Sequence, residues 1–253
     1  MKTFFYLIKA ETLMLFGELK TYSLNYVFYN VGLIVLFTGL MYNYGSSIAM
    51  LLSLVLWHAT TSSTSYLSSL ISDEAMMGTL EQIFLTKTKI QMIMFSKVFV
   101  NLLFTLVKSI ILLTISSLFF INKLNFELSF IDILFIIIIY IFTILTFYFL
   151  GEIFGGLSLY YKRISSILSV FTNILLLFSG VFSSIELNNA MFYVTPLPSS
   201  IRLISMVINK NYEQLFQVLV TFILLVFVYI ISGMIIFNLY IKKAKKDGKL
   251  NQY

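Results

Sequence analysis

Residues 130–150 read FIDILFIIIIYIFTILTFYFL, an apolar run whose one charge is Asp132. At about 1.5 Å per residue, a helix of this length covers about 30 Å, the hydrocarbon thickness of a bilayer. A helix apolar on every side belongs in the middle of a large protein or in lipid. The rest of the chain decides between these. Of its 253 residues 59% are hydrophobic, 17% aromatic and only 11% charged, well outside the range of a soluble domain. The length allows about six crossings with short connections in one domain, and leaves no room for a soluble catalytic unit.

Outward from residues 130–150 the pattern recurs. Apolar stretches run from about Tyr22 to Tyr42, Ser46 to Ile71, Met92 to Ile121, Ile164 to Ser184 and Leu215 to Ile241. Only Asn43, Tyr44 and Gly45 separate the first two, which predicts a tight helical hairpin. Ahead of them, residues 1–20 interleave Lys2, Lys9, Glu11, Glu18 and Lys20 with Phe4, Phe5, Leu7, Ile8, Leu13, Leu15 and Phe16. That segment reads as an amphipathic helix lying on the membrane surface rather than as a cleaved leader. The expected fold is all-α and integral to a membrane: one interfacial helix, then six transmembrane helices in a single domain, 1–253.

Charge orients the spans. With the N-terminus inside, the inner segments hold Lys2, Lys9, Lys20, Lys87, Lys89, Lys162, Arg163, Lys242, Lys243, Lys245, Lys246 and Lys249, and the outer loops only Lys123, Arg202 and Lys210. Lysine and arginine near span ends stay on the cytoplasmic side, so both termini are expected there in a multi-pass cell-membrane protein. The same asymmetry explains the net charge of +6 without nucleic acid as a partner. The lysine-rich end also suits contact with anionic membrane lipids. With no cysteine and one histidine, sulfur chemistry is closed and a zinc site has no ligand set. No phosphate-cradling Gly-x-x-x-x-Gly-Lys-Ser/Thr occurs, because Lys243 stands where the first glycine before Gly248 and Lys249 would be.

The inner loop 72–91 carries the most specific pattern. Thr79 and Gln82 have capping-box spacing, Glu81 falls in the first turn where a helix dipole favours an anion, and Leu80, Ile83 and Phe84 share one face. A short helix with a docking face is expected. The segment from Glu74 to Lys97, with Gly-Thr-Leu-Glu at Gly78 to Glu81, resembles the signature segment of ABC-2 type transporter permeases. Phe-Ser-Gly-Val-Phe at Phe178 to Phe182, followed by Thr-Pro-Leu-Pro at Thr195 to Pro198, resembles the family's fifth-span end and outer loop. The sequence departs from many members in lacking an arginine near Asp73 and a proline near Thr86.

The resemblance implies ABC-2 (ABCG-like) exporter topology and a permease that is no enzyme by itself. A separate ATP-binding subunit, in two copies, would bind ATP and magnesium, and a second copy of this chain or a related permease would complete the unit. Glu74, Gly78, Thr79, Leu80, Glu81 and Phe84 would couple to the ATPase. The outer loop 185–213 would fold partly back into the outer leaflet. In size and in its lysine, asparagine, isoleucine and phenylalanine content the chain resembles peptide exporters of Gram-positive bacteria, including those of phenol-soluble modulins. The cargo implied is hydrophobic or amphipathic: a peptide, lipid or drug.

Polar groups inside the spans are the candidate path. His58, Ser62, Ser65 and Ser69 follow one helix face. Such a stripe reads first as helix-packing glue and second as a path wall. Lys97 and Lys108 lie eleven residues apart on one face, Lys97 able to snorkel and Lys108 near mid-membrane, where it must face protein or water. Gly151 and Gly155 have small-xxx-small spacing for close packing, and Glu152 between them is expected to be salt-bridged or hydrated. Phe171, Leu175, Phe178 and Phe182 form an aromatic stripe on span five, which packing explains and which, by the resemblance, shapes a greasy cavity. The rival from another class is a secondary transporter or channel working without ATP.

Overall fold

The computed structural model describes residues 2–86, 90–120, 128–161, 164–182 and 191–248, and within them every regular element is an α-helix. Lys87, Lys89, Lys123, Lys162, Arg163 and Lys249, used above for orientation, lie outside the described residues. In chain order the helices are α1 (Lys2–Thr21), α2 (Ser23–Tyr44), α3 (Ile48–Met76), α4 (Leu80–Leu85) and α5 (Ile90–Leu118). Then come α6 (Phe130–Tyr161), α7 (Ser165–Leu177), α8 (Met191–Val194), α9 (Pro196–Ile208) and α10 (Leu215–Lys246).

Among the described residues four helices are long and apolar enough to cross a membrane: α2, the Met92–Leu118 part of α5, α6 and α10. The chain is therefore described as a membrane protein. Two stretches read as spans from the sequence do not reach that standard, for opposite reasons. Helix α3 has 29 residues, but its histidine, serines and threonines dilute its apolar content. Helix α7 is apolar but has only 13 residues, about 20 Å of helix. The expected fifth span is cut short because the chain leaves the helix at Phe178 and then turns through Gly180, whose φ of +84° suits a residue without Cβ.

Helix α3 tolerates its polarity because protein surrounds it. It packs along α6 and also touches α5, α9 and α7, so Ser53, Thr60, Ser63, Thr64 and Ser68 are buried in the bundle. Each of the four hydroxyls in Ser53, Thr60, Ser63 and Thr64 donates to a carbonyl of the preceding turn, which satisfies it without a partner helix. Of the stretch 185–213 expected as an outer loop, residues 185–190 lie outside the described residues, and the described part is largely helical. Pro196 starts α9, where a missing N–H costs nothing, and α9 is buried against α10, α6 and α3.

Glycines on α6 set its close contact with α3. A Cβ on Gly151 of α6 would stand 2.8 Å from the Thr64 carbonyl oxygen of α3, whereas one on Gly155 would meet only the tips of Leu67 and Ile71, at 2.9 and 3.0 Å. The small-residue spacing read from the sequence is thus a packing device, and its two members differ. An alanine gains about 1 kcal/mol in helix propensity over glycine, which offsets the crowding where side-chain tips can rotate. Gly155→Ala is expected to leave the thermal midpoint in nanodiscs within a degree or two. Gly151→Ala, pressed on backbone, is expected to lose about 1–3 kcal/mol.

Candidate functional site

Lys97 does not snorkel. It is only 7% exposed on α5, and its Nζ lies 3.2 Å from Glu74 Oε1 of α3 and 3.5 Å from Glu11 Oε1 of α1. A lysine shut away from water needs such partners, because an unpaired charge in an apolar setting costs several kcal/mol, at about 3–5. Burial pushes the Glu11 carboxyl above its ordinary range, and the attraction of Lys97 opposes that rise. The triad ties together three helices that the sequence separates widely: α1, the end of α3 and α5.

The same triad reaches the start of α4. The Thr79 hydroxyl donates to the Glu74 backbone oxygen at 3.1 Å and to the Glu74 carboxylate. The expected capping box is absent: α4 begins after Thr79, but that residue makes no side-chain cap, its backbone being already helical (φ −86°, ψ −16°) rather than extended as a capping residue's is. Gly78 has φ +70°, and the Thr79 N–H bonds back to Glu74 O at 3.0 Å, so the chain stops α3 with a left-handed glycine and restarts in α4. Of the six residues expected to couple to an ATPase, Glu74 faces inward to Lys97, and Gly78 and Thr79 form this turn. The side chains of Leu80, Glu81 and Phe84 lie outside the described residues. Around them Met76 and Met77, at the end of α3, are 63% and 66% exposed, and Leu85, at the end of α4, is 78% exposed.

From that end an open cleft of about 910 Å³ runs along α3, walled by α2 and α7. Asp73 and Met76 line it nearest α4, and His58, Thr61, Ser62, Ser65 and Ser69 line it further along. The stripe seen in the sequence is thus a cleft wall. Several hydroxyls turn their protons back to their own helix: Thr61 to His58 O at 2.9 Å, Ser65 to Thr61 O at 3.0 Å and Ser69 to Tyr66 O at 2.8 Å. Their oxygen lone pairs remain for the cleft. His58 is 5% exposed and its Nε2 has no hydrogen-bond partner.

The facing wall was missed. Ser165, Ser169, Thr172 and Asn173 of α7 line the cleft opposite α3, and the Trp57 indole donates to Thr172 O at 3.4 Å across it. Their spacing, i, i+4, i+7 and i+8, is a helical stripe that was legible beside the aromatic one. The aromatic stripe turns elsewhere. Phe171 packs on Phe154 of α6 with ring centroids 5.2 Å apart, Phe182 on Tyr44 at 4.8 Å, and Phe178 is exposed away from the cleft.

Lys108 faces protein, as its depth requires. Its Nζ sits 4.4 Å from the centre of the Tyr29 ring, a cation–π contact, and that ring is 5.9 Å from the His58 ring. Tyr29 lines the cleft, so Lys108 stands one ring behind the wall. Among the described residues no carboxylate pairs with it. No protein-family model and no curated protein matches the chain.

Proposed function

We propose that the chain is the membrane-spanning permease subunit of an ATP-driven ABC-2 type exporter, energised by a separate ATP-binding subunit. Helices α2, α3, α5, α6, α7 with the residues after it, and α10 are its six spans, and both termini are cytoplasmic. One observation carries the reading: the cleft lined by α3 ends at Asp73 and Met76, where the chain turns into the short exposed helix α4. A push on α4 is therefore delivered to the helix that walls the cleft. The buried Lys97 triad stiffens this joint by tying it to α1 and α5, so that force does not dissipate in a loose loop.

The exposed Met76, Met77 and Leu85 give a partner an apolar surface to cover, and Glu81, by the resemblance, adds a charge to it. Two such permeases on two ATPases form the unit, and the cleft between α3 and α7 takes a hydrophobic or amphipathic cargo. A second reading, an ATP-independent transporter or channel, draws on the unpaired Lys108 inside the bundle. Reconstitution separates the two. With its ATP-binding subunit, Leu85→Asp is expected to weaken ATPase binding more than tenfold and abolish stimulated ATP turnover, with the thermal midpoint unchanged. Glu81→Gln is expected to weaken binding by a similar factor, as loss of one partner of a buried charge pair does at about 2–5 kcal/mol. Cargo movement by the chain alone, without nucleotide, would favour the rival.

A further inference from the structure

Among the described residues Glu152 forms no salt bridge, the first of the two states expected for it. Its Oε2 is shut off from solvent with no hydrogen-bond partner, and no lysine or arginine among the described residues forms an ion pair with it. A carboxylate oxygen left so is costly and favours a positive group in the space beside it. It opens on a cavity of about 400 Å³ that shares no lining residue with the α3–α7 cleft.

The walls of this cavity match one kind of guest. Phe4 of α1, Phe95 of α5, Phe149 of α6 and Phe237 of α10 bring aromatic rings from four helices, and Phe4 stacks on Phe95 with centroids 5.8 Å apart. Met234 adds a flexible thioether that adapts to irregular shapes. Aromatic faces attract cations, and the attraction grows when water is excluded. One carboxylate and the Asn238 amide amid phenylalanines and methionines suit a cation whose charge is wrapped in hydrocarbon. A hydrated metal ion finds too few oxygens here, and an anion meets the wrong sign.

We infer that the Glu152 cavity binds a lipophilic cation, an ammonium or phosphonium centre carrying hydrocarbon groups, whether a free amphiphile or the amine headgroup of a membrane lipid. This site stands independently of the exporter reading. The test is equilibrium binding of tetraphenylphosphonium and of tetraphenylborate, equal in shape and opposite in charge, to the full chain in phosphatidylglycerol nanodiscs. Tetraphenylphosphonium is expected to bind saturably at one site per chain, and tetraphenylborate only to partition without saturation. Glu152→Gln is expected to weaken the cation's binding at least tenfold while the thermal midpoint holds or rises, since an unpaired buried charge is lost. Met234→Trp, which fills the cavity and keeps the carboxylate, is expected to lose binding too. If phosphatidylethanolamine added to the nanodiscs competes, the lipid amine is the resident guest; if it does not, the guest is a free cation. Equal affinity in wild type and Glu152→Gln, or non-saturable uptake of both ions, would overturn the inference, as would a lowered midpoint in Glu152→Gln with binding retained.

Discussion

Lys97→Met is expected to destabilise the chain by about 3–5 kcal/mol, because it strands the Glu11 and Glu74 carboxylates in a buried setting. The methionine keeps the length and packing of the lysine stem, so the loss reports charge. Burial already raises Glu11, and Lys97 is what opposes that rise. Without it the carboxyl rises further. A group whose folded pKa lies above its unfolded value stabilises the fold at low pH and loses that contribution as pH climbs. The deficit of Lys97→Met is therefore expected to shrink as pH falls toward the ordinary glutamate value of 4.5 and to widen toward neutrality. Adding Glu11→Gln and Glu74→Gln to Lys97→Met is expected to recover most of the loss, measured as unfolding in nanodiscs. A single-variant loss under about 1 kcal/mol, as for exposed ion pairs, would show that the triad is solvated.

A comparable effect is expected at Gly233. A Cβ there would collide with the Phe149 carbonyl oxygen and stand 2.9 Å from its carbon, so α10 lies directly on the backbone of α6. No rotamer relieves a clash with backbone. Gly233→Ala must push the two helices apart along a contact that runs through both, at a cost at or above the usual overpacking range of about 1–3 kcal/mol. Because the obstacle is the main chain, Phe149→Ala in the same chain is expected not to rescue it. Rescue by that second change would place the clash on the ring instead.

These two contacts also mark how far the sequence alone reaches. Apolar runs such as 130–150 declare themselves, because lipid demands continuous apolar length and nothing else in the chain imitates it. The polar stripe His58, Ser62, Ser65 and Ser69 was legible as a face, although its assignment to a cleft needed α7 opposite it. The partner wall was overlooked because the phenylalanines on the same helix drew the reading, and bulk proved a poorer guide than polarity. The cap at Thr79 failed for a local reason: the turn at Gly78 leaves Thr79 with helical rather than extended backbone, and pairwise spacing rules ignore it. The Lys97–Glu11 pair was out of reach, since residues that far apart meet only through tertiary packing. Helix α9 carried a readable start at Pro196, but its burial comes from α6 and α10 and not from its own composition.

The exporter reading holds that ATP on a separate subunit moves the cleft wall through α4. The chain has no cysteine, so Ser65→Cys places a single thiol in the cleft. The decisive measurement is its labelling rate with a membrane-impermeant maleimide, in vesicles holding the chain with its ATP-binding partner, without nucleotide and with ATP on a hydrolysis-deficient partner. A several-fold change in rate that needs both partner and ATP, and that Leu85→Asp removes, is the expected result. One rate under all conditions, together with cargo movement in the absence of the partner, would contradict it.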